Sequence, residues 1–145
     1  LQHQEKNPLG VVVTATDHAE AIAQFAADAA IEKGAENVML IDVSDRIAIT
    51  DMFIVASASN DRQVRAIADA IEERLLKERV KPLRREGQTE SRWILLDFGD
   101  LVAHVQMNEE RAFYALERLW KDCPTRIVTP PVPAAKEAAP AQDSL

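Results

Sequence analysis

Cysteine is almost absent, and Cys123 stands alone. A single thiol excludes an intramolecular disulfide and a cysteine-based zinc cluster, and fits a reducing compartment. Glycine is scarce too, at four in 145 residues, and no Walker loop, dinucleotide fingerprint, zinc-protease motif or calcium loop occurs. The chain is therefore poorly equipped to cradle phosphates, and no cofactor or metal is expected. Positive charge is outweighed, with 17 Lys and Arg against 24 Asp and Glu and a formal net charge of -7. That balance argues against a protein whose affinity comes from neutralising nucleic-acid backbone, so DNA is not an expected partner. One local exception runs from Arg62 to Arg85, a basic stretch read as the solvated face of a helix. No apolar run approaches the roughly 20 residues that a membrane helix needs. No secretory signal is evident in these residues, and Glu5, Asp17, Glu20, Asp28 and Glu32 all precede the first arginine, Arg46, which is unlike a mitochondrial transit peptide. A bacterial cytoplasm is the expected location.

What remains reads as one α/β domain over residues 17–128. Residues 1–16, which begin with Leu, are left outside the fold, and the Pro/Ala-rich segment 129–145 cannot bury enough apolar area to offset chain entropy. Asp17 and Glu20 form a capping-box pattern before an Ala-rich helix that Gly34 ends. Val38 to Val43 and Met52 to Ser57 are near-continuous apolar runs, as in strands buried on both faces, with Ile47 to Thr50 a short extended piece between them. Asn60 with Gln63 starts a second helix, which Pro82 stops by Val80, and Pro82 to Glu86 suits an edge strand. After a hairpin, Asn108 caps a last helix whose apolar stripe is Ala112, Phe113, Leu116, Leu119 and Trp120. The order predicts a mixed sheet of about five strands covered by helices.

The hairpin is the most informative stretch. Trp93 to Leu96 and Leu101 to Val105 flank Asp97-Phe98-Gly99-Asp100, and a two-residue Phe98-Gly99 loop would set Trp93 opposite His104 and Asp97 opposite Asp100. Alternation then gives one wholly apolar face, Ile94, Leu96, Leu101, Ala103 and Val105. The other carries Trp93, Leu95, Asp97, Asp100, Val102 and His104. Solvent does not require Trp, and a core avoids Asp. Opposed carboxylates cost roughly a few tenths of a kcal/mol unless satisfied, either by backbone N–H groups at the turn or by a partner that supplies donors. Aromatic, aliphatic and acidic groups together are the composition of a protein-binding patch.

Catalysis is the rival reading. Asp42, Asp51 and Asp97 lie at ends of predicted strands, where ligands and metals gather in α/β sheets, although capping of turns also explains them. Asp97-Phe98-Gly99 matches a kinase tripeptide by letter, without the other kinase signatures. A Ser/His/Asp set would have to join His104 to Ser57 or Ser59, and Ser59 is explained by helix capping, with no nucleophile elbow around it.

Asp51, Phe53, Ser59, Gln63, Glu86, Gly87, Trp93, Asp97, Gly99, Asp100, His104, Arg111, Phe113, Tyr114, Leu116, Glu117, Leu119 and Trp120 occur in one order. In that order the chain resembles the ribosomal silencing factor family (RsfS/Iojap), over roughly Ala19 to Trp120. Ala58 and Ser91 stand where many members carry Gly. The resemblance implies a nucleotidyltransferase-like topology without enzymatic activity, and binding to the large ribosomal subunit through its fourteenth protein. It also implies that this blocks subunit joining and represses translation, and that members form homodimers. On that reading Trp93 and Leu95 are apolar anchors, Asp97, Asp100 and His104 flanking polar contacts, and Arg111 and Tyr114 contributors from the last helix. A separate reading of the charges, not of the resemblance, has the basic helix and Arg84-Arg85 touching ribosomal RNA while the hairpin touches protein. The alternative is a metal-dependent nucleotidyltransferase-like enzyme using Asp42, Asp51 or Asp97.

Overall fold

The computed structural model describes residues 13–130, so the expectations for residues 1–12 and 131–145 lie outside the described residues. In chain order the elements are α1 (Asp17–Glu32), β1 (Glu36–Asp42), β2 (Met52–Ala58), α2 (Asp61–Leu76), β3 (Arg84–Glu86), β4 (Trp93–Asp97), β5 (Leu101–Met107), α3 (Asn108–Tyr114), the single turn α4 (Leu116–Leu119) and β6 (Thr125–Val128). They build a mixed six-stranded sheet in the order β3-β4-β5-β2-β1-β6, with β2 and β5 parallel and every other pairing antiparallel. The strand beyond the expected five is β6, on the edge beside β1. Its residues are exposed or half-buried, so it carries none of the apolar patterning by which β1, β2, β4 and β5 announce themselves.

Residues 13–16, expected outside the fold, are tied to it by carboxylates: Val13 N–H to Asp45, Ala15 N–H to Asp42 and Thr16 N–H to Asp51, at 3.2, 3.0 and 3.0 Å. Thr16 then caps α1, accepting from the N–H of Ala19 at 3.0 Å, so the helix starts one residue before the Asp17 pattern indicates. Asn60 caps α2 as expected, accepting from Gln63 N–H at 2.8 Å. The Gln63 side chain in turn donates to the carbonyl of Lys33 at the end of α1, which locks the two helices together. Ile47 to Thr50 is irregular, with a bend at Ala48-Ile49, rather than an extended piece, and Ile49 faces solvent.

Helices α1 and α2 cover one face of the sheet. Their stripes, Ile22, Ala26 and Ala30 from α1 and Val64, Ile67, Ile71 and Leu75 from α2, meet Leu40, Met52, Ile54, Ile94, Leu96, Leu101, Ala103 and Val105 in one core. The apolar hairpin face expected from alternation is thus fully buried. Its register, however, differs. Trp93 opposes Gln106, Leu95 opposes His104 and Asp97 opposes Val102, a shift of two residues from the expected pairing. The turn is Gly99-Asp100, with Phe98 N–H donating to Leu101 O at 2.8 Å and Gly99 at φ +90°. Phe98 belongs to the core and is withdrawn from the loop by its own burial. Because a shift of two preserves side-chain parity, every residue keeps its predicted face, whereas a shift of one would have inverted all of them.

The second face has thinner cover. Ile41, Val43, Val55 and Cys123 form a small core there, with Ile47, Phe53 and Trp120 packed against it. The predicted last helix breaks at Ala115, which sits at φ 46°, ψ 53° in the left-handed region, so α3 and α4 are separate pieces. Asn108 does not cap α3. Met107 takes that position, and the Asn108 amide donates to Glu36 at 3.4 Å. Of the predicted stripe, Phe113 and Leu119 are exposed, and Trp120 alone packs against the second core.

Candidate protein interface

The second face of β4 and β5 carries a run of rings. The indole of Trp93 donates from Nε1 to Nδ1 of His104 at 3.2 Å, which fixes both rings and leaves the His104 proton on Nε2. His104 is 8% exposed, and burial pushes its imidazole down to about 4, so it is neutral at neutral pH. On one side His104 meets Phe53 edge-on at 5.2 Å, and Phe53 meets Trp120 at 5.5 Å. On the other, Tyr114 lies 4.8 Å from Trp93, and Phe113 lies 4.9 Å from Tyr114. The indole is therefore half-buried, supported from beneath by His104 and flanked by α3, and Leu95 beside it is also half-buried. Of the seven residues singled out from sequence, Trp93, Leu95, His104 and Tyr114 make up the ring cluster and its apolar neighbour, while Asp97 keeps the same face at the far end of β4 and Arg111 reaches that face from α3 through Ser57.

The others are placed differently. Asp97 and Asp100 do not oppose one another, because of the register shift. Asp97 accepts the Gly99 N–H at 2.9 Å and lies 3.6 Å from Arg84, so its charge is met within the chain. Asp100 is on the turn, 3.9 Å from His18 at the start of α1. Arg111 points inward, 7% exposed, donating to Ser57 Oγ at 3.3 Å and pairing with Glu117 at 3.2 Å. Arg84 and Arg85 are likewise paired, Arg84 with Glu86 and Arg85 with Asp69 and Glu72.

The three strand-end carboxylates weighed for catalysis all hold backbone. Asp42 accepts from Ala15 N–H, Ser44 N–H and Ser44 Oγ at 3.0, 3.0 and 2.5 Å, Asp51 from Thr16 N–H, and Asp97 from Gly99 N–H. Among the described residues, no group of three or more His, Cys, Asp or Glu could hold a metal ion, and no helix is long and apolar enough to cross a membrane.

Sequence reasoning missed several features of this side. Phe113, Leu119 and Ile127 are 80, 69 and 67% exposed, and Tyr114 is 50% exposed. Helical periodicity assigned Phe113 and Leu119 to the core, whereas α3 buries only Arg111 and the turn after Ala115 buries none of its residues. Gln106, between Trp93 and Ser57 in register, is fully buried with neither amide atom bonded to a protein group. Arg92 was also unremarked. It bridges β4 to α3, bonding Glu110 at 2.5 Å and Glu109 at 2.9 Å, and those two carboxylates hold its guanidinium charge more firmly than usual.

The comparisons with known proteins agree with this architecture. A family model described as ribosomal silencing factor during starvation matches residues 16–144. A ribosomal silencing factor from Bacillus subtilis is 36% identical over 105 residues, covering 72% of this chain and 89% of that protein. A mouse protein named mitochondrial assembly of ribosomal large subunit protein 1 is 30% identical over 92 residues, covering 61% of this chain and 40% of its own length. A solved structure from Chromobacterium violaceum superposes with a TM-score of 0.69 at 29% identity, covering 71% of this chain and 86% of that one. With a family match over most of its length, and relatives that share both its sequence and its sheet, the chain belongs to the ribosomal silencing factor family.

Proposed function

We propose that this chain is a cytoplasmic binding protein, not an enzyme, that docks on the large ribosomal subunit through its fourteenth protein. There it blocks subunit joining by steric exclusion and so represses translation. Membership of the family supports a ribosome-associated silencing role, and the name of the mouse relative ties that protein to the large subunit. The observation that carries the surface assignment is the half-buried Trp93, pinned by His104 and bordered by Tyr114 and the exposed Phe113. Rigid aromatic groups at the edge of a core lose little entropy when a partner covers them. Trp93 and Leu95 act as anchors, with Tyr114 and Phe113 beside them and Asp100 at the rim, while His104 and Arg111 hold the surface in shape from behind.

Co-sedimentation with purified large subunits, followed by a subunit-joining assay, tests this reading. Truncating a buried aromatic anchor costs ~2 kcal/mol or more, so Trp93→Ala should weaken binding at least about thirtyfold. Equal binding by a folded Trp93→Ala variant would remove this face from the interface, and an unchanged rate of joining with saturating wild-type protein would remove the mechanism.

A further inference from the structure

Beside Trp93 the surface opens into a pocket of about 350 Å³, lined by Gly87, Thr89, Glu90, Arg92, Trp93, Glu110 and Tyr114. One wall is aromatic. The Trp93 and Tyr114 rings stand 4.8 Å apart at a tilt of 52°. The opposite wall is the turn from Gly87 to Ser91, and it is built firmly. Ser91 N–H bonds Gly87 O at 3.0 Å, and the buried Ser91 hydroxyl donates to Gln88 O at 2.8 Å while accepting from Arg65 at 3.1 Å. Gly87, at φ +90°, lies so close to β4 that a Cβ there would stand 2.0 Å from the Trp93 carbonyl oxygen. The turn is thus pressed against the strand that carries the indole. Glu90 projects from it, exposed and with no ion pair or hydrogen bond to a described residue.

The charges around this pocket do not cancel. Of the lining residues Arg92 is the one cation against Glu90 and Glu110; Arg92 is also shared with Glu109 outside the pocket, Arg65 is engaged by the Ser91 hydroxyl and does not line it, and Glu90 has no ion pair or hydrogen bond to a described residue. A cavity with aromatic plates on one side and uncompensated carboxylates on the other recognises a planar cation, which can lie against the rings and donate in a fork to a carboxylate. We infer that this pocket takes an arginine side chain of the protein on which the Trp93 face docks. The inference rests on the proposed docking role but goes beyond it, because it names the group that sets register beside the apolar anchor.

Two measurements on the full chain separate the pocket from the role. In an NMR titration with N-acetyl-arginine amide, the Trp93 indole N–H resonance should move saturably at millimolar ligand. The uncharged citrulline analogue should leave it in place, and Glu90→Gln should suppress the response. A non-saturating shift, or an equal shift with citrulline, overturns the assignment, and a stronger response to the lysine analogue overturns the preference for a planar cation. In co-sedimentation with large subunits, Glu90→Gln should weaken binding roughly fivefold, the scale of a solvent-accessible charge pair, and Glu90→Lys should weaken it further. If wild type binds and both Glu90 variants bind equally well, the pocket does not serve the ribosome and the docking role stands. If wild type itself fails to bind while the arginine titration saturates, the docking role falls and the pocket keeps its specificity for another partner.

Discussion

At the scale of residues, His104 shows how a side chain that reads as a surface contact can instead maintain one. Its Nδ1 accepts the Trp93 indole N–H, and burial lowers its pKa from 6.5 to about 4. In the unfolded chain the imidazole charges as pH falls through about 6.5, whereas in the folded chain it resists charging down to about 4. The folded state therefore has its full stability above pH 6.5 and loses it progressively as pH falls through this window, by about 3 kcal/mol near the bottom. Urea melts at pH 7 and pH 4.5 should show this loss in wild type. His104→Gln keeps an acceptor for the indole but cannot titrate, and should lose about 2 kcal/mol less stability between those pH values. Equal losses in both proteins would mean that other groups govern the acid limb. Ser91 is a second instructive position. Family resemblance marked it as a place where Gly is common, and its φ of 56° supplies the reason, since a left-handed residue closes the turn onto β4.

At the scale of elements, α1, α2 and the hairpin strands were legible because their burial is periodic, and β1 and β2 because their apolar runs are nearly continuous, whereas β6 had neither signal. Asn60 with Gln63, the alternation in β4 and β5, and the edge character of Arg84–Glu86 each express a local rule that tertiary packing obeys. The last helix was misread because Phe113, Leu116 and Leu119 have helical spacing whether they face a core or a partner. Nothing in that spacing marks Ala115 as left-handed. The break nevertheless has a physical basis: Arg111 and Glu117 are six residues apart, on different sides of any continuous helix, yet they pair at 3.2 Å across it. It also returns Trp120 to Phe53. A substitution at Ala115 has opposite signs in the two geometries. Glycine inside a continuous helix costs about 1 kcal/mol, while glycine replacing a left-handed alanine gains about 1 kcal/mol. Ala115→Gly should therefore raise the melting temperature by a few degrees, and a fall would restore the continuous helix.

At the scale of the whole molecule, the sheet is loaded unevenly, and this separates stability from function. One face is sealed under α1 and α2 around side chains such as Ile67, which is fully buried. The other is covered by α3 and a single turn, and it leaves Phe113 80% exposed and Leu119 69% exposed. On the proposed function this asymmetry divides the work, the covered face supplying folding free energy and the thin face contact area. Ile67→Ala should cost about 2–5 kcal/mol of unfolding free energy through the cavity it leaves, with affinity for large subunits unchanged at temperatures where the variant is folded. Phe113→Ser should change stability by less than about 0.5 kcal/mol, because its ring packs mainly against Tyr114, and should weaken binding severalfold. Thermal melts paired with co-sedimentation on the same samples decide the matter. If Phe113→Ser destabilises the fold as much as Ile67→Ala, or leaves binding intact, the thin face is ordinary surface and the contact must be sought elsewhere on the chain.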